Sequence, residues 1–119
     1  LLMSNSFSWK TKFKSIIIVD GELFSNEYDV KLHITPHTPN LKEQTEYFDR
    51  LKNLFEMVFA NTITTWREEK LYHTLSKTSN NRFIELPKPP YDQIMAAVCL
   101  CKANAVLDSV ITVSKLELS

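Results

Sequence analysis

The sequence predicts an α+β domain in which an N-terminal antiparallel hairpin precedes helices packed mainly on one face of a small sheet, in the order β-β-α-α-β-α-β. Three features carry that expectation. A β-branched run ends at Asp20-Gly21, a long amphipathic repeat follows Pro39, and an apolar segment lies between a proline corner and a β-branched terminus. The 119 residues suit one domain, and 44% apolar with 24% charged residues is the composition of a folded chain, not a disordered one. A single domain over 1–119 is expected, with any disorder confined to 1–8. Leu1-Leu2 leaves open whether the first residues belong to the native protein.

The run Phe13 to Val19 reads as a strand closed by Asp20 and Gly21, the one glycine of the chain. Tyr28, Val30, Leu32 and Ile34 alternate on one face of a second strand. The turn between them is signalled twice, at Asp20-Gly21 and at Ser25-Asn26. Pro36 and Pro39 stop the second strand, and Asn40 with Glu43 three residues later marks a helix start. Tyr47, Phe48, Leu51, Leu54, Phe55, Val58 and Phe59 keep helical spacing over about 41–60. The polar, β-branched stretch Asn61 to Thr65 reads as a break, with Thr65 and Glu68 capping a second helix to about Ser76. Arg82 to Leu86 reads as a short strand that Pro87, Pro89 and Pro90 terminate. A last helix, about Tyr91 to Leu107, leads into a closing strand, Val110 to Leu118.

Lys plus Arg and Asp plus Glu are equal at 14 each, so no global field draws in a polyanion. Cys99 and Cys101 form neither a disulfide framework nor a CxxC pattern; at about 200° apart on a helix they point to opposite sides and read as small core residues. That cysteine pattern fits a reducing compartment, and because the N-terminus lacks a basic region followed by an apolar core, no export is indicated and a cytoplasmic location is expected. The apolar stretch Ile94 to Leu107 is shorter than the roughly 20 residues that span a bilayer, so no membrane association is expected. The excess of Lys over Arg, together with many Asn, hints at a microbial or viral genome.

The last helix is the most informative candidate, because apolar residues surround it. Either it is the central core helix, or one side of it, through Met95, Ala96, Cys99, Leu100, Ala103 and Val106, is a self-association surface. Lys10, Lys12 and Lys14 alternate with Trp9, Thr11 and Phe13, so that lysines could track a phosphate backbone while Trp9 and Phe13 stack on bases. The same alternation also describes an edge strand with aromatics inward and lysines outward. His33 and His37 lie too far apart on a strand to share one ion, so no metal site is expected. A catalytic site, if present, is sought where His33 and His37 and the loop Asn80, Asn81 and Arg82 set polar groups beside structure breakers.

The chain has no P-loop, no glycine-rich dinucleotide fingerprint, no H-E-x-x-H and no G-x-S-x-G, and no cofactor is expected. Tunnel-forming pterin enzymes also place a hairpin before a long helix, but they need a histidine cluster for zinc. Three scattered histidines do not supply one, and no family is assigned. The leading expectation is a non-catalytic, self-associating assembly or adaptor domain, a homo-oligomer. The alternatives are a nucleic-acid module built on the lysine stripe and a small enzyme whose loops assemble a site for an unspecified small molecule.

Overall fold

The computed structural model describes residues 5–78 and 80–119; Leu1-Leu2 and the rest of 1–4 lie outside the described residues. Two long strands, β1 (Phe7–Val19) and β2 (Glu22–Pro36), form the hairpin, paired from Phe7↔Ile34 to Val19↔Glu22. Of the two turn signals, Asp20-Gly21 closes it, with both residues at positive φ (51° and 76°), as the primed hairpin turns require. Ser25 and Asn26 are ordinary ladder residues opposite Ile16 and Ser15.

Helix α1 (Leu41–Asn53) starts at Asn40, whose side chain accepts the Glu43 N–H. It passes into a π-helical segment, Leu54–Phe59, and Asn61 at φ 57° stops the chain from continuing. The stretch read as a break is in fact β3 (Thr62–Trp66). Its β-branched and aromatic residues suit a strand, and it lies parallel to β1 through Ser15↔Thr62 and Ile17↔Thr64. Thr65 therefore sits in the sheet and caps nothing; α2 (Lys70–Thr78) begins after Glu69 instead. Strand β4 (Phe83–Leu86), α3 (Asp92–Leu107) and β5 (Ile111–Leu118) follow as expected, with Asp108 in the left-handed region ending α3.

The fold is thus α+β, with one five-stranded mixed sheet in the order β4-β3-β1-β2-β5. Phe13, Ile17, Tyr28, Val30, Leu32 and Ile34 on one face meet Leu51, Phe55, Phe59, Met95, Cys99, Ala103 and Leu107 in the core. Phe55 is fully buried, its ring 6.1 Å from both Trp9 and Phe13 and 5.3 Å from Phe59. Helix α2 occupies the opposite face at the β3–β4 end, where Tyr72 packs 5.3 Å from Phe83. The radius of gyration is 15.8 Å, with extents of 52 × 24 × 21 Å, whereas about 13.5 Å is usual for this length. The hairpin causes the elongation: its strands of 13 and 15 residues outrun everything that pairs with them.

Replacing Phe55 by Ala removes the ring that joins β1, through Trp9 and Phe13, to the helical layer. The expected loss is about 3–5 kcal/mol of stability, measured by the shift in denaturant midpoint at unchanged slope.

Candidate functional site

The staggered sheet leaves two edges of the hairpin open. The Lys14 carbonyl accepts the Asn61 N–H on the β3 side, and Asp29 exchanges both backbone hydrogen bonds with Ser119 on the β5 side, each 2.9 Å. Backbone groups of alternate residues point the same way across a strand. Ser8, Lys10 and Lys12 therefore present N–H and C=O outward along β1, and Leu23, Ser25 and Glu27 do so along β2; no described strand pairs with either stretch. The two edges differ in protection. Lysines flank the β1 edge, a usual guard against unwanted pairing, while the β2 edge carries the exposed Leu23 and Phe24.

The sheet face opposite α1 and α3 carries Lys10, Lys12 and Lys14, with Lys31, Asp29 and Glu27 across from them. Lys12 and Lys14 both reach Glu27, at 3.9 and 3.8 Å. Trp9 and Phe13 lie on the other face, in ring contact with Phe48 and Phe55 and with Tyr28 and Phe59 respectively. Lysines and aromatics are thus on opposite sides of the sheet, and no single surface combines them.

His33 and the loop Asn80 to Arg82 are not brought together. His33 lies on β2 beside the β5 edge, where its Nε2 is 3.7 Å from Glu117, and the His37 Nε2 meets the Thr112 hydroxyl at 2.8 Å. Asn81 and Arg82 precede β4, the other edge of the sheet. Arg82 is a clamp: its guanidinium donates to the carbonyls of Met57 (2.8 Å) and Ala60 (2.9 Å), at the end of the π-helical segment. His73 bonds the Arg67 carbonyl. The three histidines thus supply no zinc cluster, and among the described residues no three His, Cys, Asp or Glu side chains gather to hold a metal. Nor is any described helix long and apolar enough to cross a membrane.

In α3, Met95, Cys99, Ala103 and Leu107 are buried against the chain's own sheet. Ala96, Leu100 and Val106 are half-buried, while Ala97, Cys101 and Ala105 face outward. Met95, Cys99 and Ala103 are therefore core residues. Burial pushes the Cys99 thiol up to about 12, which suits a packing role and not a nucleophile. Cys101 is exposed, on the opposite side from Cys99.

One polar contact has no counterpart in the sequence reading. Glu69 is 6% exposed; one carboxylate oxygen accepts the Gly21 N–H at 2.9 Å and the other the Leu71 N–H at 3.1 Å. The Gly21 hydrogen bond, helped by the amides of Leu71, Lys70 and Asp20, holds the carboxyl below its ordinary 4.5 against the opposing effect of burial. Glu69 thus caps α2 and ties it to the hairpin turn. A reach across 48 positions leaves no local pattern; the sole hint was an acidic residue ahead of a helix.

No family model and no curated protein matches this sequence. Among solved structures, an uncharacterized protein of Wolinella succinogenes is similar over 97% of this chain and 92% of its own, at 11% identity and a TM-score of 0.67. A 6-pyruvoyl tetrahydropterin synthase of Plasmodium falciparum is similar over 98% of both chains, at 13% identity and a TM-score of 0.54. The chain therefore has a tunnel-fold-like architecture. At these identities the likeness is one of fold.

The Glu69 contact has a pH signature. Because the folded carboxyl titrates below its ordinary value, its contribution is complete above about pH 4.5 and is lost as pH falls through the depressed folded value. Glu69→Gln should cost about 2 kcal/mol at neutral pH. That gap from the wild type should narrow on acidification, as read from denaturation midpoints over a pH series.

Proposed function

We propose that this chain is a non-catalytic building block that self-associates through its sheet. The observation that carries the reading is the open β2 edge, where the backbone groups of Leu23, Ser25 and Glu27 are paired by no described strand and lie beside the exposed side chains of Leu23 and Phe24. A strand edge with open backbone groups and exposed apolar side chains is the kind of surface that pairs with another strand. The β1 edge of a second copy is a suitable partner, because its outward groups at Ser8, Lys10 and Lys12 match in number and spacing those at Leu23, Ser25 and Glu27. Such a joint is head-to-tail, and it closes into a ring if the rotation per subunit allows. The zero net charge leaves little repulsion to oppose it.

The fold likeness to the Plasmodium synthase supports a second reading, a small enzyme. A nucleic-acid module on the lysine face has weaker support, since Glu27 already engages Lys12 and Lys14. Sedimentation separates assembly from a lone subunit. The wild-type chain should sediment as an oligomer, and Ser25→Pro, which removes an outward N–H without touching the β1–β2 ladder, should be a folded monomer by circular dichroism. A wild-type monomer at its highest soluble concentration, or an equally oligomeric Ser25→Pro, would refute the reading.

A further inference from the structure

The π-helical segment and α3 enclose a groove that the sheet edges do not use. Its floor is Leu54, Val58, Ala105 and Val106, and two adjoining cavities of about 600 and 440 Å³ share these four residues. Leu54 is buried, whereas Val58 is 43% and the neighbouring Met57 62% exposed. A π-helical turn displaces side chains from the regular helical positions and is common at functional sites. Here the Arg82 clamp on the Met57 and Ala60 carbonyls holds that wall in place, so the groove is formed before anything enters it.

Its rim is acidic although the whole chain is neutral. Glu46, Asp49 and Asp108 stand at one mouth with Arg50, and Glu85 at the other with Lys102. Arg50 lies over the Tyr47 ring, 4.2 Å from its centroid, and keeps its charge, while Asp49 is paired with Lys52 at 3.6 Å, so the three carboxylates at this mouth exceed its two cations by one. Glu46 and Asp108 have no ion pair among the described residues. Two helical walls, a floor kept low by Ala105 and unbalanced carboxylates at one end match the helix-in-groove mode of recognition. We infer that this groove is a docking site for an amphipathic helix of another protein, with its apolar stripe on Val58 and Ala105 and Lys or Arg residues at the end facing Glu46 and Asp108.

The probe is a fluorescein-labelled amphipathic Leu/Lys peptide about four turns long, enough to fold on binding, titrated into the full chain and read by anisotropy. Saturable one-to-one binding is expected, with amide shifts centred on 54–58 and 102–108. Ala105→Arg, which fills an exposed position, and Glu46→Lys should each weaken it at least about tenfold, whereas Ser25→Pro should not. Equal binding of a Leu/Glu peptide or of a shuffled, non-amphipathic Leu/Lys peptide would overturn the inference. So would undiminished binding to folded Ala105→Arg. If instead the unliganded chain forms dimers that Ala105→Arg abolishes, the occupant is a second copy and the proposal fails.

Discussion

Backbone pairing between β1 and β2 runs unbroken from Phe7↔Ile34 to Val19↔Glu22, and the rest of the sheet is built outward from that ribbon, β3 and β5 directly and β4 through β3. Strand β3 joins at the turn end, beside Ser15 to Ile17, and β5 joins at the other end, beside Val30 to Pro36. The offset leaves each hairpin strand half-paired on its outer side. On the inner face, Phe13, Tyr28 and Leu32 supply the apolar surface that α1 and α3 cover, so the same ribbon fixes the core and creates the open edges. Its turn is held by Gly21, whose N–H is bound by Glu69, so the start of α2 is tied to it as well.

Local signals account for the elements that were legible in the sequence. Alternation from Tyr28 to Ile34, the Asn40 cap and the proline corner before α3 each act within a few residues, and each reappears in the structure. What was missed depends on distant partners. Asn61 to Thr65 reads as a helix break because its polar threonines suit one. They become a buried strand only when β1 and β4 flank them and Ser15 bonds the Thr64 hydroxyl at 2.8 Å. The π-helical turn and the Arg82 clamp are likewise tertiary. The lysine and aromatic alternation from Trp9 to Lys14 separated the two faces correctly, but it described an edge strand, whereas β1 lies between β3 and β2, and it could not say that Glu27 would stand opposite Lys14.

The question posed by α3 receives a divided answer. Its apolar residues all round suggested that it must be covered all round, and the chain itself covers the Met95, Cys99, Ala103 and Leu107 side. The outward side is shallow, made of Ala97, Cys101 and Ala105; such small side chains expose little apolar area, and of the three only Ala105 lines the groove beside the π-helical segment. Self-association therefore has its better physical basis in the sheet, where unpaired amides and exposed Leu23 and Phe24 coincide, than in the helix. The tunnel-fold-like architecture shared with the Wolinella and Plasmodium structures is carried here on a different residue inventory, with the histidines dispersed to separate partners.

The central claim is that the open edges of the hairpin are joints between copies. Amide hydrogen exchange, followed residue by residue at low and high protein concentration, tests it most directly. The amides of Leu23, Ser25 and Glu27, and those of Ser8, Lys10 and Lys12, should exchange freely in dilute solution and become protected together as concentration rises. Continued fast exchange at these six positions in a concentrated sample, with the core amides protected, would contradict it.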